Sequence, residues 1–223
     1  MKEHPILFST PMVQAILNGR KTQTRRIINP QPRCSDNHIS LGYDPDQVKW
    51  AKESFRPVLS KGFLYCGNCG EYVKFNTMGL RVPYGQVGDI LWVRETWMPL
   101  TKGFMYKADG LHNPKSPMIK WKPSIFMPKE VCRIKLLVKN IRVERLQGIT
   151  ESDAIAEGIH PDAGGWKSYE IIHSGKHKGE VNPHTVVPNK SPITSYKELW
   201  ESINGLSSWD INPLVWVIEF KTI

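Results

Sequence analysis

The sequence predicts an α+β protein, in which a small mixed β-barrel is flanked by helices. The predicted elements run helix, strand, loop, several strands, helix, loop, helix, strand, without the strand–helix alternation that builds a doubly wound parallel sheet. Two long stretches, about 29–88 and 160–192, are irregular and rich in Pro and Gly. Loops of this length are typical of insertions or functional segments. We therefore interpret residues 1–223 as one domain carrying two long loop insertions.

The first helix is predicted from Thr10, which can cap it, to Gly19, which can end it, with Pro11 in its first turn. Its apolar face would be formed by Val13, Ile16 and Leu17. A strand is predicted directly after this helix, within 21–28. Because side chains alternate along a strand, Thr22, Thr24 and Arg26 would share one of its sides.

The remaining elements are predicted from alternation and from helix-start signals. Residues 132–146 carry the strongest strand pattern, either as one strand or as two that are broken near Asn140. The other predicted elements are strands at 89–94, 104–108 and 214–221, a short hairpin at 63–65 and 71–75, and helices at 150–157 and 194–204.

The composition is that of a folded protein with an excess of positive charge. Hydrophobic residues make up 40% and charged residues 23% of the chain, which argues against wholesale disorder. Thirty basic and 21 acidic residues give a net charge of +9, which favours nucleic acid as a partner. Because no apolar run approaches about 18 residues and no secretory signal is visible, we expect a cytoplasmic protein without a membrane partner.

The densest polar chemistry lies directly after the first helix, in the segment 19–26. Four cations and two hydroxyls occur there: Arg20, Lys21, Thr22, Thr24, Arg25 and Arg26. Guanidinium groups bind phosphates and base edges. A lysine whose pKa is lowered by burial and by neighbouring cations could take the proton of Thr24 and make it a nucleophile. The alternative is a basic turn that faces water, as most charge runs do.

The pattern Gly19-x-Lys21-x-x-Thr24-x-Arg26 resembles the signature G-x-K-x-x-(E or T)-x-R of the ASCH domain, a relative of the PUA RNA-binding fold. The resemblance extends to Gly88–Glu95, Arg142–Leu146, the segment ITESDAIAEGI and the terminal VWVIEF. The segments WKPSIFMP and LWESING are similar to those of ASCH proteins carried by bacteriophages and prophages. The resemblance implies a PUA-like barrel that handles a modified nucleoside or RNA.

One branch of the ASCH family hydrolyses the amide of N4-acetylcytidine. The resemblance implies a catalytic set in which Lys21 is the base, Thr24 the nucleophile and Glu157 the acid or orienting group. Glu157 stands at the end of a predicted helix, where a negative charge is mildly unfavourable, so a local contact is expected there. This chemistry requires no cofactor. Two other functions stay open, a non-catalytic RNA-binding module and a ribonuclease.

Further residues are candidates for contact with substrate or RNA. These are Arg20, Arg25, Arg26, Arg94, Trp121 and Ser124. Trp121 precedes Pro123 and Ser124 in a loop-like segment, where an indole ring could stack on a base. Most of the other tryptophans, which fall in or beside predicted core elements, are interpreted as core.

A zinc site is the remaining hypothesis. Cys66 and Cys69 form a C-x2-C turn, to which Cys34 and His38 could add two ligands and so build a structural, zinc-knuckle-like loop. The alternatives are free thiols in a loop, or a redox pair, for which the expected βαβ context is missing.

Overall fold

The structure is a computed structural model. It describes residues 1–29, 31, 82–110, 120–162, 164–169 and 189–223 with their side chains, and residues 55–58, 63–66 and 72–74 by their backbone alone. The helices in these ranges are α1 (Thr10–Leu17), α2 (Glu151–Ala156) and α3 (Pro192–Asn204). The strands are β1 (Glu3–Leu7), β2 (Gln23–Ile27), β3 (Phe55–Val58), β4 (Phe63–Cys66), β5 (Tyr72–Lys74), β6 (Ile90–Arg94), β7 (Trp97–Pro99), β8 (Phe104–Tyr106), β9 (Lys135–Arg145), β10 (Pro161–Asp162), β11 (Gly165–Trp166) and β12 (Leu214–Thr222).

Five strands form the main sheet, in the order β1-β6-β9-β12-β2. Strand β1 pairs with β6 in parallel, and the other three pairings are antiparallel. The smaller sheets are β3-β4-β5, β7-β8 and β10-β11, and the pairing of β4 with β5 confirms the predicted hairpin. The α+β class is thus confirmed. In the described ranges the edge strands β1 and β2 do not pair with each other, so the sheet is open where a closed barrel was predicted.

Strand β1 is not predicted from the sequence. It is short and contains Pro5, which has no N–H to donate to a ladder and is therefore tolerated only at the edge of a sheet. In the structure β1 is an edge strand, and its last residue, Leu7, pairs with Arg94. Parallel pairing with β6 places the start of α1 beside the end of β6.

Strand β9 is continuous, which resolves the open question about a break near Asn140. Asn140 pairs with Glu219, whereas the next registered pair is Val138 with Phe220, so Lys139 is an extra residue opposite β12. This bulge bends the strand without ending it. The sequence signal for a break is therefore explained by a local irregularity within one strand.

Strand β12 is the centre of the core, because both of its faces are covered. Leu214, Trp216 and Ile218 pack on the side of α1, and Val215 and Val217 pack on the side of α2 and α3. Burial on both faces explains the nearly continuous apolar run of this strand. It also places α1 and α3 on opposite faces of the sheet, next to the edge strand β2.

The N-cap of helix α1 lies one residue earlier than predicted. Ser9 occupies the N-cap position and Thr10 is the first helical residue, so the prediction that Thr10 caps the helix is wrong. Gly19 follows the helix with a φ of +69°, a left-handed conformation that glycine adopts without strain. No helix in the described ranges is long and apolar enough to cross a membrane.

Candidate functional site

The turn between α1 and β2 is fastened to the end of α2 by backbone hydrogen bonds. The amides of Arg20 and Lys21 both donate to the carbonyl of Ala15, at 2.8 and 3.0 Å. The amide of Thr22 donates to the carbonyl of Ala156 at 2.9 Å. These bonds fix the backbone on both sides of Lys21, and its side chain points at Glu157, the residue that follows α2.

Gly158 allows the two segments to approach closely. Its φ is +101°, and a Cβ built there would lie 3.1 Å from the Cβ of Ala15 and 3.3 Å from the Cβ of Lys21. Any L side chain would therefore combine backbone strain with crowding. The glycine that ends the predicted helix consequently has a packing role beside the site.

Lys21 and Glu157 form a buried ion pair. The Lys21 Nζ atom donates to the Oε2 atom and to the backbone carbonyl of Glu157, both at 2.8 Å. The two side chains are only 1% and 4% exposed. Burial lowers the pKa of Lys21, Glu157 opposes this shift, and the neighbouring Arg26 and Arg25 add to it.

Arg25 holds the second oxygen of the same carboxylate. Its guanidinium, which is 0% exposed, lies 3.4 Å from the Oε1 atom of Glu157, 3.0 Å from Glu144 and 3.1 Å from Asp153. A direct contact between Arg25 and RNA, as predicted from the sequence, would require an accessible guanidinium. In the structure, Arg25 instead holds the carboxylates of Glu144, Asp153 and Glu157 in place.

The ion network continues on β9 and α2 through residues that are not among the predicted site residues. Arg142 contacts Glu144 at 2.5 Å and Asp153 at 3.1 Å, and it also pairs with Glu219. Asp153 is at the same time the N3 residue of a capping box with Thr150. Burial alone would raise the pKa of Asp153, but Arg25 and the bonds to Thr150 hold it below its usual value.

A pocket of about 160 Å³ opens between α1 and α3, along the edge of β2 that pairs with no other described strand. Both Thr24 and Glu157 line this pocket. Thr24 is 2% exposed, and its hydroxyl makes no hydrogen bond to any part of the chain that the structure describes. The full lining is Met12, Thr24, Arg25, Arg26, Ile27, Tyr84, Glu157, Tyr196, Leu199, Trp200, Ile203 and Asn204.

Of the three predicted catalytic residues, Thr24 and Glu157 line the pocket, whereas Lys21 is connected to it only through its contact with Glu157. Five pocket residues come from α3, a predicted helix in which no site residue is predicted. Four of the five lie in the segment LWESING, which carries part of the family resemblance, whereas Tyr196 precedes that segment.

Arg26 and Arg20 differ in their relation to the pocket. Arg26 lines it, donates to the carbonyl of Leu7 at 2.6 Å and lies 5.3 Å from the ring centre of Phe8. Arg20 donates to the carbonyl of Gly158 at 3.4 Å and is not part of the pocket wall. Of the two, Arg26 is therefore the better placed to meet a ligand.

Arg94, Trp121 and Ser124 do not line this pocket. Arg94 donates to the carbonyl of Met127 at 3.0 Å and to that of Ile125, and so braces the short 3-10 helix that Ser124 begins. Trp121 is half-buried, and its indole nitrogen has no hydrogen-bond partner in the described ranges. These three residues belong to a separate region near the end of β6.

The predicted zinc ligands cannot be placed. Cys34, His38 and Cys69 lie outside the described residues, and Cys66 ends β4, of which only the backbone is described. Within the described ranges, no group of three or more His, Cys, Asp or Glu side chains is arranged to hold a metal ion.

Comparisons with family models, with curated proteins and with solved structures find no match to this chain. The function is therefore argued from the geometry of the site and from the motif that supplies Lys21 and Thr24.

Proposed function

We propose that this chain is an ASCH-type protein with a PUA-like fold, and that it hydrolyses the amide of N4-acetylcytidine or a similar N4-acylated cytosine nucleoside. The observation that carries the proposal is the 2.8 Å contact between Lys21 and Glu157, beside a pocket that Thr24 also lines. A base, a hydroxyl nucleophile and a carboxylate that orients the base are the groups that such acyl transfer needs.

The hydrogen bonds of Lys21 suit a neutral amine as well as an ammonium. Both of its partners, the Oε2 atom and the backbone carbonyl of Glu157, are acceptors. A neutral amine has two N–H donors and one lone pair, so it can keep both bonds and still accept a proton. Burial, which lowers the pKa of Lys21, favours this neutral form.

In the proposed reaction the Thr24 hydroxyl attacks the acyl carbon while its proton passes to the Nζ atom of Lys21. The C–N bond then breaks, N4 of the cytosine takes the proton from Lys21, and the acyl group remains on Thr24 as an ester. Water then attacks the ester carbon while one of its protons passes to the neutral Lys21. The bond to the Thr24 oxygen breaks, this oxygen takes the proton from Lys21, and the acyl group leaves as the free carboxylic acid. Glu157 orients Lys21 throughout and stabilises the ammonium that forms in each half of the cycle.

The size of the pocket supports a single base as the bound group. A cavity of about 150 Å³ is enough to admit a benzene ring, and the pocket measures about 160 Å³. Pockets for drug-sized ligands are larger, at roughly 300–1,000 Å³. A nucleoside whose base enters the pocket while its sugar stays outside fits these dimensions.

The test is to incubate the purified protein with N4-acetylcytidine and to follow the release of cytidine by chromatography. Wild type is expected to release cytidine, and Lys21→Ala and Thr24→Val are each expected to abolish release. The control is Lys129→Ala, because Lys129 is an exposed lysine that pairs with Glu3 away from the pocket. No release by the wild type, or full activity in Lys21→Ala, would overturn the proposal.

An RNA-binding module without chemistry is the second candidate, and it has its own support. The net charge is +9, and Ile125 and Phe126 are 57% and 69% exposed where Arg94 braces their turn. Exposed aromatic rings beside cations are typical of surfaces that bind single strands. Salt-sensitive RNA binding without release of cytidine would favour this function over hydrolysis.

A further inference from the structure

Three residues of the pocket wall bring polar groups to it, and one of these groups is buried without a hydrogen-bond partner among the described residues. The indole N–H of Trp200 has no acceptor in the described part of the chain. Thr24 and Tyr196 contribute hydroxyl groups to the same wall. All three residues are at most 4% exposed and line the same pocket. Because buried polar groups are almost always paired, the unpaired indole N–H of Trp200 indicates a ligand that accepts a hydrogen bond from it. The hydroxyl of Tyr196 is a second donor on the same wall.

Two of the three groups share one face of α3. Tyr196 and Trp200 are four residues apart, which places them on the same side of a helix, and their ring centres lie 6.3 Å apart. They form the α3 wall of the pocket, whereas Thr24, Arg26 and Glu157 line it from the side of β2 and α2. The proposed catalytic groups are therefore distinct from this aromatic wall.

We infer that Tyr196 and Trp200 select the substrate by donating hydrogen bonds to a ring carbonyl oxygen of a planar heterocycle. An indole N–H can only donate, so its partner must be an acceptor, and a carbonyl oxygen has two lone pairs that can serve both donors. In a cytosine this acceptor is the 2-oxo group, which is remote from the acylated amine. The inference rests on the proposed function for the identity of the base, but not for the existence of the donors.

The test uses two ligands that differ in this carbonyl. Cytosine carries the 2-oxo group, and 4-aminopyrimidine has the same ring and amino group without it. Calorimetric titration of the wild type is expected to show about tenfold tighter binding of cytosine, since a site built to hydrogen-bond a group rejects the analogue that lacks it. Equal affinities of the wild type for the two ligands would overturn the inference, and this measurement needs no variant.

The variants assign the donors. Trp200→Phe and Tyr196→Phe keep an aromatic ring and remove one donor each, so each is expected to reduce the preference for cytosine severalfold. The matched control is Trp209→Phe, because Trp209 packs against Tyr196 at 6.3 Å between ring centres but does not line the pocket. An unchanged preference in both variants, or an equal loss in the control, would overturn the assignment.

The outcome of this binding test does not depend on the outcome of the hydrolysis test. Cytosine and 4-aminopyrimidine have no acyl group, so their binding does not depend on turnover. Selective binding of cytosine without release of cytidine from N4-acetylcytidine would support recognition by Tyr196 and Trp200 and would contradict the proposed hydrolysis. Release of cytidine without selective binding of cytosine would support the proposed hydrolysis and would contradict the role of Tyr196 and Trp200.

Discussion

The Nζ atom of Lys21 lies 2.8 Å from the Oε2 atom of Glu157, although the two residues are 136 positions apart in the chain. Such a buried pair is weak evidence for stability, because the loss of hydration offsets most of the attraction between the charges. Its position beside a pocket is the reason to consider a chemical role for the pair. A lysine that is buried and oriented by a carboxylate can exchange a proton with a ligand without leaving its place.

The first prediction concerns the free energy of unfolding when one partner of this pair is removed. Glu157→Gln leaves the buried Lys21 without its counter-charge and is expected to lower this free energy by about 3–5 kcal/mol. Adding Lys21→Met to the same chain is expected to recover part of the loss. Urea denaturation of the two single variants and the double variant measures the coupling between the residues.

The control for this cycle is Glu3→Gln. Glu3 contacts Lys129 and Lys135, whose side chains are about half exposed, so its removal is expected to leave the unfolding free energy near that of the wild type. A loss in Glu157→Gln no larger than the loss in Glu3→Gln would show that the buried pair is not coupled.

The second prediction concerns the pH dependence of hydrolysis. The neutral amine of Lys21 is the form that accepts the proton, so kcat/KM for N4-acetylcytidine is expected to rise with pH. Because burial lowers the pKa of Lys21, the midpoint of this rise should lie below 10.5. Glu157 favours the charged amine, so any activity left in Glu157→Gln should show the rise at lower pH. A profile without such a rise would exclude Lys21 as the base.

The local half of the site could be predicted from the sequence. Lys21 and Thr24 belong to one contiguous motif, and Glu157 stands at a helix end that disfavours an acid, so each carries a signal of its own. Most of the elements that place these residues can be predicted from alternating side chains and helix caps. Strand β1 cannot, because it is short and contains Pro5, which argues against a strand in a sequence.

The other half of the site depends on contacts between distant segments. Arg25 sits in a run of cations that reads as a solvated turn, yet its guanidinium is enclosed by Glu144, Asp153 and Glu157. The sequence does not show which of these charges face inward, since that depends on where α2 packs against β2. Trp200 is similar, because an apolar helix face predicts burial but not a neighbouring pocket.

The third prediction tests the close approach at Gly158. Gly158→Ala is expected to lower the unfolding free energy by about 1–3 kcal/mol and to reduce turnover, because the new methyl group would crowd Ala15 and Lys21. The control is Gly205→Ala, at a similar φ of +95° but with no atom within 4 Å of the added Cβ. Thermal unfolding and turnover of both variants separate backbone strain from crowding. Equal effects of the two substitutions on turnover would show that Gly158 does not position Lys21.

The last prediction separates Arg25 from its neighbour Arg26. Arg25→Met leaves the three carboxylates around Arg25 without their shared cation, and is expected to lower the unfolding free energy by about 3–5 kcal/mol. Arg26→Met removes a partly exposed side chain that bonds one carbonyl, and a smaller loss is expected.

Binding to single-stranded RNA at several salt concentrations should reverse this order. Arg26 lies in the pocket wall with part of its side chain exposed, so Arg26→Met is expected to reduce the salt slope by about one. Arg25→Met should leave the slope unchanged at temperatures where the variant is folded, because a guanidinium that is 0% exposed releases no counterions from a phosphate. A reduced slope in Arg25→Met would show that this arginine reaches RNA after all, and that the buried network opens when RNA binds.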